Sequence, residues 1–437
     1  MIEYTQNMRR QKMNKYLEAE KWILDRGTHK GPYSLDKIEY LLDELDAPQR
    51  EYACILIGGT NGKGSVTAIT ESILLHCQDY QIGSYTSPHL LSLKERIKIQ
   101  GKQISEKLII DGVKAIKEIT KVMDKEPSIG SPAFFEVMTA LGFWSFRESD
   151  IDIALVEVGL GGRFDSTNAC EPEISVITNI GTDHQQYLGD TKEKIAHEKL
   201  GIIRKNRPLL TTEKDPAILE IFKKECEEKK AKLQVIEPNY GFELVESSKE
   251  GHKIKFSFAE EEVFFPMPGA HQLENLSLVM AIIEQMRKNG FEIPDEAITE
   301  GIKEAHWPGR LQWIKGEPDI LLDGAHNNEG LETLENYLKT FQSNEPVNII
   351  FGALKDKPFA EMAKHLEPFG HNLCFVPPTC PRCPAKEDFE KSGISEKWQW
   401  FDDFKSALES CKTDKSRSIL VCGSLYLISD ALAELEK

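Results

Sequence analysis

Residues 52–70 read YACILIGGTNGKGSVTAIT. The run from Tyr52 to Ile57 is continuously apolar, which fits a parallel strand buried on both faces. Val66, Ile69, Ile73 and Leu74 then recur at helical spacing. Between them lies a loop holding Gly58, Gly59, Gly62 and Gly64 around Lys63. A glycine loop leading from a strand into a helix is the setting of a phosphate-binding loop. Glycines let the backbone turn and approach closely, and the free N–H groups at the helix start attract anions. The spelling departs from G-x-x-x-x-G-K-[ST]. Ile57 stands where the first glycine is due, and the hydroxyl arrives one place late, at Ser65.

Working outward, further strands end in polar loops. Gln81–Tyr85 runs into TSPHL, Ile151–Val158 into GLGGRFDSTN, and Ile174–Asn179 into IGTDH. Helices are expected over Tyr16–Leu24, Pro132–Phe146, Thr191–Ile203 and His271–Met286, and a hairpin over His252–Phe258 and Val263–Phe265. The organisation resets near Trp307-Pro308-Gly309-Arg310. A second series follows: Ile320–Leu322 ending in DGAHNNEG, Val347–Phe351 ending in GALKDKP, Cys374–Val376, and Ser418–Cys422 ending in GSLYLIS. Alternating strands and helices predict an α/β fold with mostly parallel sheets. Domains are expected at 1–306 and 307–437.

The 437 residues are 40% hydrophobic and 29% charged, enough to build real cores, and the net charge is −17. That charge disfavours nucleic acid and anionic membranes as partners. Nine cysteines without framework spacing point to reduced thiols. No signal or transit peptide and no membrane span is read, so a cytoplasmic protein is expected.

Ligands of parallel sheets bind at the carboxyl ends of strands. Gly59, Thr60, Asn61, Gly62, Lys63, Gly64 and Ser65 are therefore the phosphate candidates. Ser87, Glu157 and His184 end three further strands, and such oxygen and imidazole donors suit Mg²⁺ held largely by phosphate and water. Asp183 stands beside His184. Lys199 reads as a solvated helix lysine and His197 as a helix-surface histidine. Asp323, His326 and Asn327, with Lys355 and Asp356, end strands of the second series. Arg310 is equally an interdomain salt bridge or an anion contact. Cys380-Pro-Arg-Cys383 lacks the second pair that a structural zinc site needs and reads as a solvent loop.

GTNGKGS, YTSPHL, EVGLGGRFDSTN, TNIGTDH, EKLGI, AHQLENLSLV, PGRLQ, LDGAHN and GSLYL, in this order over residues 59–427, resemble the folylpolyglutamate synthase/dihydrofolate synthase family of the Mur ligase superfamily. The resemblance implies a P-loop ATPase domain with a mostly parallel sheet and a smaller Rossmann-like α/β domain. It implies an ATP-dependent ligase joining L-glutamate to dihydropteroate or to the terminal γ-carboxylate of a reduced folate through an acyl phosphate. It makes Lys63, Lys199 and His326 catalytic, with Lys199 carbamoylated, and places Asn275, Arg310 and Asp323 on the nucleotide. Ser87, Glu157, His184 and the carbamoylated Lys199 match the metal positions, for two Mg²⁺, and K⁺ is a further candidate ion. Phe134, Phe135, Glu136, Arg163, Phe164, Asp165 and Ser166 match the folate contacts, and the family expectation is a monomer. Three segments depart from the family: Asn328 where proline is usual, EYLLDELDAPQ for LGNPQ, and TCPRCPA in the late loop.

Two other readings stand beside this one. A peptidoglycan-precursor ligase is expected to carry a sugar-nucleotide domain first, and only about fifty residues precede the loop. A P-loop binding module without ligase chemistry would have no use for Glu157, His184 and the second α/β series.

Overall fold

The computed structural model describes residues 2–27, 34–126, 128–341 and 346–436, with the backbone alone for 2–12. Two compact units form, 1–240 with 275–301, and 241–274 with 302–437.

The first unit is built on eight strands: β1 (Ala53–Gly58), β2 (Ile82–Tyr85), β3 (Ile97–Ile99), β4 (Lys102–Gln103), β5 (Ile153–Glu157), β6 (Ile174–Ile177), β7 (Leu209–Thr211) and β8 (Leu233–Val235), in the order β4-β3-β2-β5-β1-β6-β7-β8. From β2 to β8 all neighbours are parallel, and β3 and β4 add an antiparallel edge. The central strands β1, β5 and β6 are almost wholly buried and largely apolar, with Glu157 and Ser175 the exceptions, because helices cover both faces of a parallel sheet. The helix Lys63–Leu74 buries Val66, Ile69, Ile73 and Leu74, the residues that announced it. The helix Phe134–Arg147 packs against Glu106–Met123, which Ser105 caps through the N–H of Leu108. These two helices meet closely at Gly112, where a Cβ would come within 2.4 Å of Leu141 Cδ1.

The second unit holds two sheets. β9 (Glu243–Ser248), β10 (Gly251–Lys255) and β11 (Val263–Phe265) form an antiparallel meander, so the expected hairpin gains a third strand. β12 (Gln312–Ile314), β13 (Ile320–Asp323), β14 (Val347–Phe351), β15 (Gly370–Phe375), β16 (Trp398–Trp400) and β17 (Ile419–Cys422) form a six-stranded sheet ordered β12-β13-β17-β14-β15-β16. This sheet is parallel except for β12 against β13. Residues 241–274 lie here rather than with 1–240. The carbonyl of Lys249 accepts from Trp313 Nε1 (3.0 Å) and from the Tyr337 hydroxyl (2.7 Å), tying the β9–β10 turn to the six-stranded half.

The first helix runs over Ile2–Leu24, longer than its apolar signal. The helix expected to reach Ile203 ends at Lys199 and tightens into a 3₁₀ turn over Leu200–Ile202. Among the described residues no helix is long and apolar enough to cross a membrane.

Candidate active site

In the first unit the order β2-β5-β1-β6 sets four strand ends side by side. These carry Ser87, Glu157, the glycine loop and His184, so the sheet itself brings together residues 97 positions apart in the chain. The glycine loop is braced by the segment after β6. Thr60 N–H donates to the Asn179 carbonyl (2.9 Å), Asn61 N–H to Asn179 Oδ1 (3.1 Å), and the Thr178 hydroxyl to the Asn61 carbonyl (2.5 Å). Gly59 has φ 131° and leaves no room for a side chain: a Cβ would lie 1.9 Å from Thr178 Oγ1. Gly62, at φ 89°, turns the chain into the helix, and Asn275 Oδ1 sits 2.5 Å from where its Cβ would be. Asn275 is therefore beside the loop. Thr178 and Asn179 were missed as loop supports. Their only sequence signal is that they follow a buried strand.

Lys63 opens the helix, and its Nζ donates to the carbonyls of Gly59 (3.1 Å) and Thr60 (3.0 Å). Ser65 is buried in the first turn. Glu157, 4% exposed, ends β5, and its Oε2 accepts the N–H of Ser87 (3.2 Å). His184 has φ 55° and presents a half-exposed ring 3.9 Å from Asp183.

Lys199 is not the solvated lysine its sequence context implies. It is 5% exposed, and Nζ donates to the Gly59 carbonyl at 2.7 Å, the same oxygen that Lys63 uses. Burial, reinforced by the nearby Lys63 charge, lowers its pKa from 10.5 to about 7, against the pull of Asp183 and Asp165. Two bare backbones make room for this helix end. A Cβ on Gly162 would lie 2.7 Å from the Lys199 carbonyl, and one on Gly201 would lie 2.3 Å from Arg163 Cα.

A pH dependence follows. Between about pH 7 and 10.5 the unfolded lysine keeps a proton that the folded one has released. The unfolded chain then binds more protons, so stability rises with pH through that window. In CO₂-free buffer, urea unfolding of the wild type should gain about 1.4 kcal/mol per pH unit over Lys199→Met between pH 7 and 10. A constant difference between the two proteins would contradict the buried neutral amine.

The expected folate contacts divide by their surroundings. Phe135 packs edge-on to Tyr85 (6.2 Å between centroids) and against Gly159, where a Cβ would meet its Cζ at 2.4 Å. Phe134 lies beneath the Arg96 guanidinium at 5.1 Å. Phe164 is 45% exposed and projects from its loop. Glu136 and Asp165 are buried and face their own backbone. Glu136 accepts Ala133 N–H, and Asp165 accepts the N–H groups of Leu160 (2.7 Å) and Thr167 (3.0 Å). Burial nevertheless raises the Asp165 pKa. Asp165 also caps the 3₁₀ turn Ser166–Ala169, and Arg163 donates to the His197 carbonyl. Sequence reasoning passed over Arg96 and His89. Arg96 Nε donates to His89 Nδ1 at 2.8 Å, and burial with the Arg96 charge lowers the histidine to about 4, leaving it neutral.

In the second unit Asp323 ends β13 and is buried. Its two oxygens accept the N–H groups of Leu311 and Ala325 (both 2.9 Å), and burial raises its pKa against the Arg310 charge. His326 donates Nδ1–H to the Gly324 carbonyl (2.9 Å). Asn328 is the first residue of the helix Asn328–Phe341, a position that proline also tolerates, so the departure there costs the fold little. Among the described residues no carboxylate lies within ion-pair distance of Arg310. His271 Nδ1 is buried without a partner, and burial with the Arg310 charge lowers its pKa to about 4. Cys380 and Cys383 form a turn that ends before the helix Lys386–Lys391, with Cys383 exposed. Among the described residues no three His, Cys, Asp or Glu side chains cluster as a metal cage.

A glycine phosphate loop on a parallel sheet, followed by a second parallel α/β unit with its own strand-end cluster, is the architecture of the Mur-type ligases. The Mur ligase middle domain matches residues 57–283, and the Mur ligase glutamate ligase domain matches 309–425. The chain is 35% identical to the dihydrofolate synthase/folylpolyglutamate synthase of Bacillus subtilis over 96% of its own length and 99% of the relative's. It superposes on the folylpolyglutamate synthase of Thermotoga maritima with a TM-score of 0.83 at 32% identity, covering 97% of both chains. A structure described as an FPGS–AMPPCP–folate complex gives a TM-score of 0.85 at 27% identity, over 97% of this chain and 100% of that one. The chain belongs to the Mur ligase family, in its dihydrofolate synthase/folylpolyglutamate synthase branch.

Proposed function

We propose that this protein joins L-glutamate to dihydropteroate and to the terminal γ-carboxylate of reduced folates, converting ATP to ADP and phosphate. What supports the proposal is a phosphate loop whose Gly59 carbonyl takes both Lys63 and buried Lys199, with Glu157 against the Ser87 N–H on neighbouring strand ends, in a chain of this family. The acceptor carboxylate attacks the γ-phosphorus, ADP leaves, and an acyl phosphate forms. The glutamate amine adds to the acyl carbon, and the tetrahedral intermediate expels phosphate to leave an amide.

In this reading the loop N–H groups and Lys63 hold the transferring phosphoryl group and neutralise the charge that develops on it. Ser87, Glu157 and His184 fit Mg²⁺: a hydroxyl, a buried carboxylate and an imidazole from the segments that end β2, β5 and β6, too few to cage an ion without phosphate and water. Bound there, Mg²⁺ would neutralise phosphate charge and orient the oxygens for in-line transfer. Lys199 is the carbamate site. An amine with a pKa of about 7 is substantially unprotonated near neutrality, which is the form that adds CO₂. Phe134, Phe135, Phe164, Arg163 and Ser166 line the acceptor side. Glu136 and Asp165 fix the shape of those loops. Asn275, Arg310 and Asp323 hold the nucleotide, and His326 serves the glutamate half.

ATP phosphate and acceptor chemistry are assigned to residues 1–306, and glutamate, with the nucleotide contacts of Arg310 and Asp323, to 307–437, in a cytoplasmic monomer. The test is glutamate-dependent ADP release with 7,8-dihydropteroate and tetrahydrofolate in parallel. Activity on both supports the full proposal, and activity on one narrows it to that acceptor. ATP binding without turnover on either would overturn it.

A further inference from the structure

Arg310 is held as if its direction mattered. On one side of it the Gly309 carbonyl accepts Gly324 N–H at 2.7 Å, and on the other Leu311 N–H donates to Asp323 Oδ2 at 2.9 Å. Gly309 and Leu311 both have positive φ, 69° and 45°, so the chain bends sharply through this point. The DGAH segment after β13 thus clamps the backbone on either side of Arg310. The side chain then lies across Gly324: a Cβ there would sit 2.2 Å from Arg310 Nη1 and 2.5 Å from Leu425 Cδ2. Gly324 does not have a positive φ, so its backbone would accept alanine. What the glycine supplies is space.

We propose that Gly324 is a positioning residue whose missing side chain forms the seat of the Arg310 guanidinium, holding it ready for an anionic oxygen of the nucleotide. The inference rests on the assignment of Arg310 to the nucleotide and adds what aims it. Both atoms in the way of a Cβ end flexible side chains, so the added methyl displaces them and spares the backbone. Gly324→Ala is therefore expected to fold and to lose its aim.

The experiment is a double-mutant cycle on the full chain with Gly324→Ala, Arg310→Ala and the pair, reading KM for ATP, kcat and the thermal midpoint. A fourth protein, Gly324→Ala in a Leu425→Ala background, removes the second collision in case the single variant does not fold. The expected result is an ATP KM raised about tenfold by Gly324→Ala, equally by Arg310→Ala, and no further by the pair, with kcat less affected. If the two effects multiply, or if Gly324→Ala leaves the ATP KM unchanged, the seat is overturned while the Arg310 assignment stands. If Arg310→Ala itself leaves the ATP KM unchanged, the assignment falls and the proposal with it.

Discussion

Lys63→Ala is expected to lower glutamate-dependent ADP release about 10³-fold while the protein stays folded. The magnitude is that of removing one preorganised donor from a transition state in which charge builds on phosphoryl oxygens, about 4 kcal/mol. Lys63 Nζ is stationed at the head of the loop by the carbonyls of Gly59 and Thr60, neutral acceptors that a phosphate oxygen outcompetes for a cation. The Gly59 and Thr60 carbonyls that it releases are neutral, so the thermal midpoint should move by only a few degrees. When the Lys63 bonds to Gly59 and Thr60 are lost, the loop keeps its bracing from Thr178 and Asn179. Steady-state kinetics with a melting curve make the check. A loss smaller than tenfold would remove the glycine loop from the chemistry.

Glu157→Gln is the second large effect. The substitution keeps the size of the side chain and an oxygen for the Ser87 N–H, and takes away only the charge. Because the replacement is isosteric and keeps the Ser87 hydrogen bond, the protein should stay folded. Turnover should nevertheless fall at least about 10²-fold, with a higher Mg²⁺ concentration needed for half-maximal rate. A variant with wild-type Mg²⁺ dependence would show that the carboxylate at the end of β5 serves the fold alone.

The parts of this site that were legible in sequence share one property: their signal is local. β1 and β5 could be read because a parallel strand covered on both faces must be apolar along its whole length, and the glycines after β1 show where the backbone has to turn. Pairing order completed the picture, because only the sheet brings β2 and β6 next to β5 and β1. Lys199 illustrates the limit. Its neighbours on the helix are polar, and it is buried by packing against residues far away in the chain, including the bare backbone of Gly162. No periodicity announces a lysine of that kind, and the family resemblance alone marked it. β9 was missed for a similar reason. Its residues, ELVESS, are mostly solvent-facing, so the strand exists through its pairing with β10 and not through an apolar face. Arg310 could be read as an ion pair or an anion contact from its sequence. The surroundings now on view add only that the guanidinium lies against Gly324, a contact that no local pattern announces.

The central claim is that the acceptor carboxylate is activated by phosphorylation. The direct measurement is turnover with acceptor carrying ¹⁸O in the reacting carboxylate, followed by mass analysis of the released phosphate. The account predicts one ¹⁸O per phosphate formed, left by the oxygen that bridged carbon and phosphorus in the acyl phosphate. Unlabelled phosphate, or label appearing in AMP, would contradict it.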